Sequence, residues 1–138
     1  MVAAAEIALE GNQYSKALSA AEKQANLVRS YGLWAYLPEP LYLKGRALLG
    51  QERLEEAFET LSIARNKAET LGMRRMSWPI LAVMVGIENG RGNAAEVEVL
   101  RREGAEIVNY IAGHVANDEH RRSFLTQPKV QAFMASTN

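Results

Sequence analysis

The chain has 138 residues, with 16 Lys+Arg against 16 Asp+Glu, 48% apolar residues, 7% aromatic residues and no Cys. That composition fits one compact folded domain in a cytoplasmic setting and leaves no disulfide framework. Residues 1–69 carry 8 basic and 9 acidic side chains and residues 70–138 carry 8 and 7, so there is no basic stripe for direct nucleic-acid binding and no acidic arm.

In chain order, the apolar periodicity predicts helices at 2–10, 14–31, 39–49, 53–71, 78–89 and 94–115, then a short terminal helix or two from 118 onward. The first stretch, MVAAAEIALEG, has Glu6 inside its apolar run and no basic lead, which excludes a secretory signal. Pro38 and Pro40 sit at the start of the third helix, where a missing N–H does no harm, and Gly50 closes it. In the fourth, Leu54, Ala57, Phe58, Leu61, Ala64 and Ala68 form an amphipathic stripe. Ser77-Trp78-Pro79 opens the fifth, with Ser77 as N-cap and Pro79 in the first turn. The longest apolar run, residues 79–87, falls far short of the ~20 residues that span a bilayer, so no membrane partner is expected. No stretch alternates apolar with polar residues between turn signals, and the fold class is all-α.

These helices repeat. Ala17, Ala57 and Val97 are 40 residues apart, as are Gly50 and Gly90, and Tyr31-Gly32 recurs as Leu71-Gly72. Each unit is then an antiparallel helix pair, giving three pairs at about 1–33, 34–73 and 74–115, followed by a capping segment at 116–138. In the middle unit Gly45 precedes Ala57 by twelve residues, Leu61 follows Ala57 by four, and Ala64 follows Leu61 by three. Closely crossing helices need small side chains such as Gly45 and Ala57 at the contact, flanked by large ones. Ala5, Ala17 and Ala21 hold the matching places in the first unit, and Val85, Val97 and Gly104 in the third, while Lys44 and Arg101 stand where a hydrophobe would fit the pattern.

The pattern resembles the tetratricopeptide repeat in its longer, roughly 40-residue form, similar to the helical tails of maltose-activator-like bacterial transcription regulators and of signalling ATPases joined to nucleotide cyclases. The ending DEHRRSFLTQPKVQAFMAS looks like the closing segment of such tails. The resemblance implies a short right-handed α-solenoid without catalysis of its own. A solenoid ends in a cap that covers its last apolar face, and Phe124, Leu125, Val130 and Phe133 are the candidates for it. Nothing precedes the first helix to cover its outer face, which predicts a C-terminal piece of a longer bacterial protein, or a homodimer through that face.

Catalytic and cofactor sites are not expected. Gly86, Gly90 and Gly92 lack the Lys-Ser/Thr of a phosphate loop, and His114 and His120 lack the spacing of a metal pair. The pairs Arg74-Arg75, Arg101-Arg102 and Arg121-Arg122 read as solvated faces beside acidic neighbours. In stacked pairs the first helix of each unit lines the concave wall, so Glu6, Glu39, Tyr42, Arg46 and Asn89 are the candidate binding residues, with Tyr42 and Arg46 projecting together at i, i+4. Trp34 and Tyr36, ahead of Pro38, are either a second contact patch or packed on the neighbouring pair. The expected function is therefore a protein- or peptide-binding module, whose partner can also be another domain of its parent chain. The alternative is a concave face that senses a small metabolite such as an oligosaccharide.

Overall fold

A computed structural model of the protein describes residues 2–134; Met1 and residues 135–138, which the first expected pair and the expected cap include, lie outside it. Among the described residues there is no strand, and no helix is long and apolar enough to cross a membrane. The chain forms two compact units that divide after Gly72.

The first unit holds α1 (Val2–Glu10), α2 (Tyr14–Ser30), a 3-10 turn (Trp34–Tyr36), α3 (Pro38–Gly50) and α4 (Leu54–Thr70). Three-residue turns join α1 to α2 and α3 to α4, which forces neighbours to run antiparallel. α3 is the central element and packs on α1, α2 and α4. The spacing predicts Gly45 against Ala57. Both are buried, but the space over Gly45 is taken by Leu61, whose Cγ and Cδ2 would lie 2.6 Å from a Cβ there. Lys44, one of the departures from the apolar pattern, stays half-buried and reaches Glu22 of α2 at 3.6 Å.

The second unit holds α5 (Arg74–Gly90), α6 (Ala94–Gly113), α7 (Asp118–Leu125) and α8 (Pro128–Met134). α8 packs on both α5 and α6, burying Val130 and Phe133 completely. The Phe133 ring lies where a side chain at Gly104 would have to go. Phe124 meets Trp78 edge-on at 5.6 Å. Arg101 owes its place in the apolar pattern to α8: its Nη1 donates to the Phe133 carbonyl at 2.9 Å while the rest of the guanidinium grips Glu98. Glu88 is almost fully buried and accepts from Arg91 Nη1 and Asn93 Nδ2, each at 2.7 Å, which clamps the α5–α6 turn.

The 40-residue period is present in the backbone. α2, α4 and α6 begin at Tyr14, Leu54 and Ala94, and the residues before them, Gln13, Arg53 and Asn93, share φ near −92° and ψ near 73°. Left-handed residues recur at Asn12, Gly32, Glu52, Gly72 and Gly92, with φ of 55°, 65°, 62°, 68° and 74°. After α1, α3 and α5 the same bonds close the helix: Gln13 N to Ala8 O, Arg53 N to Leu48 O and Asn93 N to Glu88 O, at 2.8–3.0 Å. These six-to-one bonds define a Schellman ending.

One expected helix start is corrected. α5 begins at Arg74 rather than near residue 78, so Ser77 is not its N-cap and Pro79 lies inside the helix. The left-handed Gly72 and the turn at Met73 set the start, as the equivalent turns do elsewhere. Ser77 Oγ instead donates back to the Met73 carbonyl at 3.1 Å. In the preceding link the prolines prevail: Pro38 and Pro40 cannot donate to the Trp34 and Tyr36 carbonyls, and the turn tightens to 3-10 with Leu37 N on Trp34 O at 3.2 Å.

Two substitutions test this framework in opposite directions. Glu52 holds a left-handed conformation that costs an L-residue about 1–2 kcal/mol, so Glu52→Gly is expected to raise stability by about 0.5–1 kcal/mol, after the larger entropy loss of glycine, in denaturant unfolding. Gly104→Ala drives a methyl into the Phe133 ring and is expected to lower it by about 1–3 kcal/mol.

Candidate functional site

Four of the five candidate residues lie in the first unit: Glu6 on α1, and Glu39, Tyr42 and Arg46 on α3. The α1–α3 contact brings the two carboxylates within electrostatic reach, and both are exposed. Burial raises the Glu39 carboxyl above its ordinary range, and the Glu6 charge adds to the effect. Glu39 also sits in the first turn of α3, where the helix dipole favours its charge; desolvation and like-charge repulsion outweigh that.

Arg46 lies over the Tyr42 ring, its Cζ 5.5 Å from the ring centroid, so the i, i+4 pair does meet. The two do not project equally. Tyr42 is only 8% exposed, whereas Arg46 is half-buried. The reason is the central position of α3: a helix packed on three others has apolar contacts around most of its circumference, and the ring belongs to that layer. The ring is therefore a platform that steadies a guanidinium, rather than a free anchor. Asn89 is exposed on the last turn of α5, in the second unit, where its carbonyl accepts from Gly92 N at 3.1 Å.

The arginine pairs are divided by use. Arg74 stacks over Tyr110 at 3.7 Å, Arg101 holds α8, and Arg121 donates to the Ala112 and Val115 carbonyls at 3.0 and 2.6 Å at the end of α6. Arg75, Arg102 and Arg122 are exposed. His114 stacks on Tyr110 at 4.1 Å, its Nδ1 2.7 Å from the Tyr110 carbonyl. Among the described residues no three His, Asp or Glu side chains come together as a metal-binding group.

A second surface comes from residues that periodicity does not single out. Trp34 of the 3-10 turn stands beside the last turn of α4, and with Asn66, Lys67, Thr70 and Leu71 it lines a groove of about 310 Å³. Trp34 and Tyr36 are 54% and 67% exposed, so the link aromatics are not packed away on a neighbouring helix pair. The lining residues are more than thirty positions apart and meet only because α4 returns antiparallel to α3. Pro38 and Pro40 were the readable signal, since they dictate the turn that presents the indole.

Because the Glu39 carboxyl titrates higher in the folded chain than in the unfolded one, its contribution to stability is full below the ordinary glutamate range and is lost as pH rises through the folded value. Glu39→Gln removes that loss. The variant is expected to melt above the parent protein near neutral pH, with the difference closing below about pH 4, as read by thermal unfolding followed by circular dichroism. No protein-family model matches the chain, and no curated protein or solved structure is significantly similar to it.

Proposed function

We propose that the chain is a non-catalytic interaction module of tetratricopeptide-like repeats, stacked as a short right-handed α-solenoid, that binds a protein or peptide through the first helices of its pairs. The observation that carries this reading is the recurrence of one turn, with its left-handed residue and six-to-one bond, every 40 residues at positions 12, 52 and 92. Repeats of one supersecondary unit are characteristic of interaction scaffolds, which present an extended surface rather than a cleft.

On that surface Glu6 and Glu39 repel each other, and a cation from a partner would relieve the repulsion while the Tyr42-backed Arg46 takes a carboxylate. A segment carrying a basic and an acidic residue in succession fits this arrangement. Tyr42 offers little open face, which leaves the oligosaccharide alternative without a stacking platform at this place. The resemblance of the repeats and of the closing segment supports a module from a larger bacterial signalling ATPase, transcription regulator or nucleotide cyclase, with any catalysis expected in other domains.

The test is capture of partners from cells of the source organism by the parent chain and by the triple variant Glu6→Gln, Glu39→Gln, Arg46→Ala, with helicity checked by circular dichroism. The variant is expected to lose a partner that the parent chain retains, at unchanged helicity. Equal capture by both chains removes this face from consideration. An antibody against the chain should detect a native band far above 15.3 kDa; a band at that mass rejects the larger parent protein.

A further inference from the structure

The groove between the 3-10 turn and the end of α4 lies outside the surface proposed above, and its lining has a consistent chemistry. Trp34 and Leu71 provide two apolar walls, 54% and 45% exposed. The same groove is lined by Asn66 and Thr70, which offer neutral hydrogen-bond donors, and by Lys67, which offers a positive charge. No acidic side chain lines the groove. Lys67 is half-buried and makes no ion pair among the described residues, unlike Lys44, which has Glu22.

Both walls are held in place before any ligand arrives. On one side Leu37 is fully buried and its N–H bonds to the Trp34 carbonyl, which fixes the turn that carries the indole. On the other, Leu71 N donates to Lys67 O at 3.1 Å and Gly72 N to Glu69 O at 3.0 Å. Those bonds also occupy carbonyls at the negative end of the α4 dipole, which would otherwise repel an anion, and Lys67 in the last turn offsets what remains.

We propose that this groove is a binding site for a small amphipathic carboxylate, whose apolar body lies between Trp34 and Leu71 and whose carboxylate meets the Lys67 ammonium. A volume of about 310 Å³ is at the small end for ligand sites, so it suits a single-ring acid rather than a long peptide. The charge complementarity selects the class: a cation would face Lys67, and a purely apolar molecule would leave the ammonium and the Asn66 and Thr70 donors partly desolvated without partners.

The experiment is a titration of the full chain with 4-phenylbutyrate, followed by the Trp34 indole N–H and the backbone amides of residues 66–71 in proton–nitrogen correlation spectra, repeated with the neutral 4-phenylbutanamide. The acid is expected to give saturable shifts at these positions and to bind about tenfold more tightly than the amide, a difference within reach of one partly desolvated ion pair. Lys67→Met keeps most of the length and the helix propensity of the side chain without its charge, and it should reduce the acid to the affinity of the amide while leaving amide binding unchanged. Trp34→Phe should weaken both ligands and identifies the indole resonance. Absence of saturable shifts, equal binding of acid and amide, or an unchanged acid affinity in Lys67→Met each overturns the proposal. Because Glu6, Glu39 and Arg46 take no part in it, their triple variant should bind the acid as the parent chain does, which separates failure here from failure of the partner surface.

Discussion

Five successive helices in this protein stop where one residue takes a left-handed backbone, at positions 12, 32, 52, 72 and 92, twenty residues apart. After α1, α3 and α5 the chain turns back within three residues, because the six-to-one bond draws it across the helix's own last turn. Antiparallel neighbours follow, and so does the register that sets Leu61 over Gly45 in α3 and α4. A longer or differently twisted turn would shift one helix along the other and bring Leu61 against a side chain instead of a hydrogen. α6 breaks the rhythm. His114 at its end has φ −104°, and the guanidinium of Arg121 bonds the Ala112 and Val115 carbonyls at and just beyond the helix end. The repeating pattern gives way to α7 and α8 at the point where a side chain, not the backbone, closes the helix.

Much of this was legible because glycine marks the positions that need a positive φ, as at Gly32, Gly72 and Gly92. Asn12 and Glu52 occupy the same place without that mark, and only the 40-residue offset from Gly92 points to them. The start of α5 departs from the sequence expectation for a related reason. A proline looks like a helix opener, but an opener needs only the first turn, and the turn after Gly72 had already fixed where the helix begins. Pro79 lies half-buried within the helix, where it leaves one backbone bond unmade.

The candidate site was legible in position and not in exposure. Helical spacing places Tyr42 and Arg46 together, and they do meet. It says nothing of how many helices surround α3, and that number decides whether a ring at this position is an anchor for a partner or part of the core. The same limit applies to Trp34: the prolines indicate a tightened link, but the α4 side chains that stand opposite the indole are assigned only by the folded chain.

The polar residues that interrupt the apolar pattern share a physical role. Lys44, Arg101 and Glu88 each stand where the repeat elsewhere has an apolar side chain or could carry one, and each reaches a specific partner: Glu22, the Phe133 carbonyl, and the Arg91–Asn93 pair. Burying such groups is unfavourable unless they are paired, and all three are. A register shift that apolar contacts would accept leaves an ammonium, a guanidinium or a carboxylate unmatched, so these residues select one arrangement among several of similar apolar burial. Lys67 stands apart from that group, since it is half-buried beside an exposed indole and pairs with no acid among the described residues. In a chain whose interrupting polar groups are matched within the fold, Lys67 complements the α4 dipole without an acidic partner, so its charge stays available to a ligand beside the indole.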